Sequence, residues 1–518
     1  MQFDVAIVGA GPVGLLSAAL LGRSGVSVLL VERHHQPLRI PRAIRFDHEA
    51  MRVWQELGIT EQLLRTVRPM SGYEWYGADG ELILGFDLPL GPSGWWTSYH
   101  FFQPDVEDAL LDAVAAQPSV TTRRGTACVG VRSFDSHVEL ELAPTSDGGT
   151  VIEGATETVE VGYLLGADGA RSSIREQLGI GVDDGGFRER WLVIDVRPHD
   201  ESGFAKIPAS PRQVCDPARP YLVGPMGASH LRWEFMVLPG EDARIYDDPG
   251  AAWDLIQPWL SPDQGTMLRS AVYEFRSLTA QSMQSGRRAF LLGDAGHQMP
   301  PHMGEGLCSG IRDAKAIAWR LALVLSGGAD ARVLDSYSPE RLAHVKEVSH
   351  QSVEMGKVSC QLDPELAAAR DEQLRSGGDL KAWPFPPLGT GLGYVGPGSL
   401  PELRGLVFFQ GRVGRDGSTG LYDDVVGGGF TLVVDAGRAT LALTDDQRAA
   451  FAGVGGTVAV LGDDVEDTDG GLTTWMRECG AAAVLARPDH YVFGAVSDPN
   501  AVGELVGQLL DALGPAPH

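Results

Sequence analysis

The tightest constraint in the sequence is a glycine pattern set between two apolar strands. Residues 3–8 are nearly all apolar, as a strand covered on both faces requires. Gly9-Ala10-Gly11-Pro12-Val13-Gly14 follows at once, and a helical pattern then runs through Leu15, Leu16, Ala19 and Leu20 until Ser24-Gly25 closes it. A second apolar strand, 26–31, ends in Glu32. A β-α-β unit of this length is half of a Rossmann-like fold. Gly9 permits the tight turn, Gly11 lets a pyrophosphate approach the backbone, and Gly14 lets helix pack on strand. Glu32 lies eighteen residues beyond Gly14, where a carboxylate can accept hydrogen bonds from ribose hydroxyls.

Composition narrows the partners. The 518 residues carry 42 basic and 68 acidic side chains, a formal charge of −26. That balance repels nucleic acid and anionic membrane surfaces, so neither is an expected partner. The five cysteines are scattered and form no C-x-x-C pair, which points away from a disulfide framework or a zinc centre; no metal is expected. The longest apolar stretch, 316–325, contains Arg320 and is too short to span a bilayer. The first residues enter a strand without a basic n-region or cleavage site, so a cytoplasmic protein, monomer or homodimer, is the expectation.

Further along, 100–117 reads as a helix, and 126–132, 137–142 and 157–165 read as strands. Residues 190–285 carry longer alternating runs that suit an antiparallel sheet. A strand at 289–292 leads through a glycine-rich turn into a helix from about Ser309 to Leu325. Residues 333–375 read as helical and peripheral, and 377–400 as a Gly/Pro-rich linker. Beyond it, 430–434 and 457–461 read as parallel strands, a hairpin is expected around His490-Tyr491-Val492, and 501–513 reads as a closing amphipathic helix.

Three further segments carry chemistry. They are Leu164-Leu165-Gly166-Ala167-Asp168-Gly169-Ala170-Arg171-Ser172-Ser173, then Gly293-Asp294-Ala295-Gly296-His297 with Pro300-Pro301, then Gly304-Glu305-Gly306-Leu307-Cys308-Ser309-Gly310-Ile311-Arg312-Asp313-Ala314. Gly304, Gly306 and Gly310 strip side chains from a helix start, so that its N–H groups can face a flat ring and stabilise negative charge on it. With the N-terminal fingerprint, these segments resemble the single-component FAD-dependent aromatic hydroxylases, and most closely the 3-(3-hydroxyphenyl)propionate hydroxylase subgroup of the para-hydroxybenzoate hydroxylase family. The resemblance covers roughly residues 1–350.

The resemblance implies an α/β architecture. A Rossmann-like FAD-binding domain would comprise 1–75, 100–180 and 285–375, with a substrate domain of mixed and antiparallel sheet at 76–99 and 181–284. A linker would span 376–394 and a thioredoxin-like α/β domain 395–518. That last domain has no C-x-x-C, so a dithiol redox role is not supported. Glu32 and Arg33 would serve the adenosine ribose, and Arg42 and Gln103 the pyrophosphate and ribityl region. Asp168 and Gly169 would lie where FAD and the nicotinamide cofactor both reach. Asp294 would bind a ribityl hydroxyl, and Pro301, Gly304, Gly306, Leu307 and Cys308 would wrap the isoalloxazine ring.

The implied reaction takes a hydride from NADPH or NADH, adds dioxygen to the flavin as a C4a-hydroperoxide, and hydroxylates a phenol or pyridol-like ring ortho to its hydroxyl. Baeyer–Villiger insertion, epoxidation, antibiotic inactivation, a reductase and a flavin-binding interaction protein stand as alternatives. Arg45, His48, Tyr221 and Pro301 are candidate catalytic groups, with His230 a further candidate base. Trp233, Glu234, Phe235 and Met236 are candidate substrate contacts, of which alternation allows half to face a ligand. Two residues depart from the family pattern: Arg45, where small or apolar residues are commoner, and Glu305, where glutamine is commoner.

Overall fold

Phe3–Val8 lies at the centre of the first sheet, hydrogen-bonded in parallel to Val28–Glu32 on one side and Glu157–Gly166 on the other. A strand with neighbours on both edges and helices or loops on both faces has no wet side, which is why its sequence does not alternate. The computed structural model describes residues 2–154, 156–377, 385–389, 391–439 and 443–514. Part of the expected 376–394 linker therefore lies outside the described residues. Among the described residues there are two eight-stranded sheets.

In the first sheet the fingerprint strand, Val28–Glu32, Val120–Arg124, Glu157–Gly166 and Ala289–Leu291 run parallel. The Pro12–Arg23 helix follows Gly11, carries proline in its first turn and ends at Ser24 before Gly25, whose φ is +76°. The Gly306–Leu325 helix packs across it. A Cβ at Gly310 would lie 2.6 Å from Val13 and 3.2 Å from the Gly293 backbone, so that glycine serves helix packing rather than an open ring face. The helix begins three residues before the expected Ser309.

The second sheet is built on a long ribbon, Val182–Pro198 against Gly265–Ala280, extended by His230–Val237, Tyr221–Met226, Arg212–Val214, Gly72–Tyr76 and Leu82–Asp87. Its two faces differ in kind. Leu192, Ile194, Trp233 and Phe235 point into an apolar core capped by the Pro249–Ile256 helix. Asp195, Arg232, Glu234 and Met236 point to the opposite face.

The Tyr337–Ser359 helix is not peripheral. Tyr337, Glu340, Arg341, His344, Val345 and Val348 are all buried, and Tyr337 Oη donates to the Leu291 carbonyl at 2.8 Å. Helical periodicity shows a face, and this helix has two buried ones.

The C-terminal unit holds a four-stranded sheet in the order Thr457–Leu461, Thr431–Asp435, Ala483–Ala486, Val492–Val496. The first pair is parallel and the rest antiparallel, and the closing helix is Val502–Leu513. Phe430, Leu485 and Leu505 share one continuous apolar core with Val5, Leu16 and Trp319. Buried charge also joins the two parts. Arg487 donates to both oxygens of Glu340 at 2.8 Å and to Asp489, while Arg320 and the Leu392 amide donate to the same Glu340. Among the described residues no helix is long and apolar enough to cross a membrane.

Removing one partner from a buried charge cluster strands the others. Glu340→Ala is expected to destabilise the protein by about 3–5 kcal/mol and to split its thermal unfolding into two transitions, as read by scanning calorimetry. A single transition at the parent temperature would contradict this.

Candidate functional site

The four glycine-bearing segments meet at contacts that no side chain could share. A Cβ at Gly9, where φ is +103°, would lie 2.3 Å from the Ala167 carbonyl oxygen, and one at Gly14 would lie 1.9 Å from the Gly9 oxygen. Gly293 and Gly310 both close on Val13. Gly11 is different. A Cβ there would meet only an Arg42 guanidinium nitrogen, at 3.9 Å, so the turn is open on that side.

That opening leads into a cavity of about 290 Å³ lined by Gly9, Gly11, Glu32, Arg42, Asp168 and Gly169, with Arg33 at its edge. Glu32 accepts from the amides of Ala10 and His34 at 2.8 Å each, one on each oxygen. These bonds fix the carboxylate at the end of its strand and leave lone pairs for further donors. The Arg42 side chain makes no hydrogen bond or ion pair within the described residues and lies over the Gly11 turn. The Pro12–Arg23 helix has no side-chain cap. Free amides, a helix N-terminus and an uncommitted guanidinium make this cleft fit a pyrophosphate. The donor set and the space at Gly11 therefore suit FAD.

Gln103 takes another part than the expected one. Its Oε1 accepts from the amides of Arg42 and Ala43 at 3.0 and 2.8 Å, and its Nε2 donates to Glu107 at 2.6 Å. It is a buried strut that holds the Arg42 loop in place. Asp168 accepts from Ser172, Ser173 and the Ile174 amide at the start of the short Ser173–Gln177 helix, while its half-buried neighbour Gly169 has φ +84° and would meet nothing with a Cβ. Asp294 is exposed on a turn, and its carboxylate makes no hydrogen bond within the described residues.

Further along the chain, Pro301–Met303 leads through Gly304, at φ +66°, into the Gly306–Leu325 helix. Glu305 is its N-cap, and no side chain caps the first turn, so the amides of Gly306, Leu307 and Cys308 carry the helix's partial positive charge. The Cys308 thiol is buried and pushed well up by that burial.

The two departures from the family pattern turn out to be partners. Arg45 forms an ion pair with Glu305 and also donates to Ser98 Oγ at 2.7 Å and the Met303 carbonyl at 2.8 Å. Arg45, a candidate catalytic group, is thus held in place by protein contacts while its side chain stays partly exposed. Arg312, two turns into the helix, donates to Glu305 at 3.0 Å and to Glu49 at 2.8 Å, and pairs with Asp47. Tyr491, from the C-terminal unit, donates to the other Glu49 oxygen at 2.6 Å. Burial, then the neighbouring Asp47, raises the Glu305 carboxyl, against the pull of the two arginines. Sequence reasoning quoted Arg312 inside its motif but gave it no role; a lone arginine on a buried helix face was the available signal.

The other candidates differ in their surroundings, and three of them, Tyr221, Trp233 and Phe235, are corrected as ligand-facing groups. His48 is half-buried, its Nδ1 2.9 Å from Ser93 Oγ and its ring against Gly91, and burial lowers its pKa. Tyr221 stacks on Phe235 at 5.5 Å and abuts Trp259 at 5.6 Å, inside the core under the Pro249–Ile256 helix. Trp233 and Phe235 lie in that same core, so alternation gives the opposite face to Glu234 and Met236. His230 is stacked on Phe102 at 3.8 Å, and burial pushes its pKa down to about 4. Residues missed in the sequence are Asp195, which accepts both ends of Arg232 at 2.6 and 2.9 Å, and His302, which directly follows Pro301.

A family model described as an FAD binding domain matches residues 2–352, and one described as the HcaD C-terminal domain matches 405–512. The chain is 35% identical, over 99% of its length and 96% of the relative's, to a probable NADH-specific resorcinol 4-hydroxylase of Rhodococcus jostii. It is 31% identical to a 3-(3-hydroxy-phenyl)propionate/3-hydroxycinnamic acid hydroxylase of Burkholderia vietnamiensis, over 94% and 93% of the two chains. Among solved structures, the flavin-dependent monooxygenase PieE with FAD and substrate superposes with a TM-score of 0.78 at 24% identity, covering 99% of each chain. Aklavinone-11 hydroxylase with FAD and aklavinone gives 0.77 at 23%, over 98% of this chain and 99% of that one. At those identities the superpositions speak for the fold.

Two substitutions separate ligand from packing. Gly11→Ala should weaken FAD binding about tenfold while moving stability by less than about 1 kcal/mol, measured by flavin titration of the apoprotein and by denaturant unfolding. Equal affinity would contradict the open-turn assignment. Asp294→Ala should lose FAD during gel filtration with its circular dichroism unchanged; full flavin occupancy would count against its role.

Proposed function

The chain belongs to the family of FAD-dependent aromatic hydroxylases, and on that premise we propose that it uses NADH or NADPH and dioxygen to hydroxylate a phenolic ring ortho to an existing hydroxyl. The observation that carries this reading is the meeting of the four motif segments around Gly9, Val13 and Gly14, beside a cleft whose open turn at Gly11 and uncommitted Arg42 suit FAD. FAD supplies the reactivity toward the nicotinamide hydride and toward dioxygen.

The protein's part is positioning and exclusion of water. Arg42 and the amides after Gly11 would hold the pyrophosphate, Glu32 the ribose, and Asp294 a ribityl hydroxyl. The first-turn amides of the Gly306–Leu325 helix would face the pyrimidine side of the ring, where negative charge gathers on reduction. Arg45 and Arg312 hold Glu305 from both sides, which offsets the negative charge that this residue brings to the helix start. Pro301 gives the loop beside the ring a fixed backbone angle.

The ortho position is supported by the name of the Rhodococcus relative, since carbon 4 of resorcinol is ortho to one of its hydroxyls. The same name supports NADH as the donor. No second nucleotide fold is needed in this reading, because the donor would bind only in passing. We further read the C-terminal unit as thioredoxin-like, supported by its β-α-β order followed by two antiparallel strands and a helix. With Cys479 its single cysteine, it serves as a brace rather than a redox centre. Dependence on a nicotinamide cofactor fits a cytoplasmic enzyme.

The test is NADH and NADPH oxidation by the FAD-loaded protein with a panel of phenols, pyridols and fused aromatic rings, followed by product mass. A compound that accelerates oxidation and gains one oxygen on a ring carbon ortho to its hydroxyl is expected. FAD retention with cofactor oxidation but no oxygenated product from any compound would replace the hydroxylase by a reductase.

A further inference from the structure

We propose that Glu189, His302 and Cys360 form a binding site for one divalent metal ion of zinc's intermediate softness. The proposal goes beyond the hydroxylase reading and does not depend on it.

The three donors come from three elements. Glu189 belongs to the Val182–Pro198 strand and His302 to the Pro301–Met303 turn, and Cys360 caps the end of the Tyr337–Ser359 helix. One ligating atom from each, a carboxylate oxygen, an imidazole nitrogen and a thiol sulfur, lies within 4.8 Å of the other two. Glu189 Oε2 and His302 Nε2 are 3.5 Å apart. Bonds of about 2.0–2.3 Å to a tetrahedral zinc set its donors about 3.3–3.6 Å apart. That pair already stands at the span an ion would bridge.

The imidazole distinguishes this cluster from a chance meeting of polar groups. The His302 side chain is 6% exposed, and its Nε2, aimed at Glu189, has no hydrogen-bond partner. A buried polar nitrogen without a partner is costly, and a metal ion is a partner that fits between side chains already in place. Phe187 and Trp191 hold the ring by near-perpendicular contacts at 5.9 and 6.0 Å. Gly356 makes room for it, since a Cβ there would lie 2.5 Å from Nε2. The Cys360 amide donates to the Gly356 carbonyl at 2.9 Å, so glycine and cysteine share one helix face. The first admits the imidazole and the second supplies the sulfur. Trp191 Nε1 donates to Glu189 Oε2 at 2.9 Å, an outer contact of the kind that orients a ligating carboxylate.

The Glu189 side chain is 21% exposed, so an ion can be met there before nitrogen and sulfur close on it. On binding, the thiol gives its proton to water. Thiolate, carboxylate and neutral imidazole each donate a lone pair, a water takes the fourth position, and nothing is oxidised. Two anionic ligands then balance the two charges of the ion, as a buried site requires. Sulfur and nitrogen donors favour zinc over magnesium or calcium, which take oxygen. Cysteine spacing could not reveal such a site, because its donors are spread over positions 189, 302 and 360.

The test uses the FAD-loaded enzyme, kept reduced, stripped with a chelator and dialysed against zinc chloride. One zinc per chain by atomic absorption is expected, with a higher unfolding temperature in zinc than without it. Cys360→Ser and His302→Gln, each checked for full FAD content, should bind zinc at least about tenfold more weakly and lose the temperature rise. His137→Gln, which breaks the exposed cluster of His137, Glu139 and Glu160, should bind as the parent does. Cobalt(II) in place of zinc should give a sulfur-to-metal charge-transfer band that Cys360→Ser lacks. Should one variant lose FAD, the other carries the measurement. No zinc retained by the parent, or Kd values within about twofold of the parent in both variants, would overturn the proposal. So would loss of the zinc in His137→Gln, which would place the ion at the exposed cluster.

Discussion

Glu305 is a buried carboxylate at the start of a helix, a place where a negative charge is favoured by the helix and disfavoured by the loss of water. Two guanidiniums settle the balance. Arg45 arrives from the start of the Arg45–Asp47 strand and Arg312 from two turns further along the same helix. Through them Glu305 fixes the Pro301–Met303 turn, the Arg45–Asp47 strand and the Gly306–Leu325 helix against one another. Through Arg312, Glu49 and Tyr491 the same cluster reaches the C-terminal unit. The proposed ring site, the loop that borders it and the C-terminal unit thus share one electrostatic anchor.

The rest of the architecture follows from keeping that anchor dry. The Tyr337–Ser359 helix seals one side with its own buried ions, Arg341 to Asp313 and Glu340 to Arg320 and Arg487. Asp313 in turn accepts from the Gly293 amide, tying the turn that displays Asp294 to the helix carrying Arg312. Positive charge not needed for structure is left at one notable place, Arg42, where the cleft opens at Gly11.

The fingerprint was legible because each of its glycines answers to backbone geometry: a positive φ at Gly9, a 1.9 Å approach at Gly14, an open turn at Gly11. Such demands act within a few residues and leave their mark in the sequence. The pairing of Arg45 with Glu305 did not, since 260 positions separate them and each looked like an isolated departure. Alternation told that half of Trp233 to Met236 would face a ligand. It could not tell which half, because that depends on the Pro249–Ile256 helix capping one face. The buried ions of the Tyr337–Ser359 helix were hidden for a similar reason: a charged residue reads as exposed until its tertiary partner is known.

The central claim is that the FAD cleft beside the junction of the four glycine segments serves dioxygen chemistry on an aromatic ring. The most direct measurement is the fate of isotopically heavy dioxygen in a single turnover of the FAD-loaded, NADH-reduced enzyme with resorcinol. The account predicts one heavy oxygen atom on a ring carbon ortho to a hydroxyl. Heavy hydrogen peroxide formed in place of labelled product would contradict it.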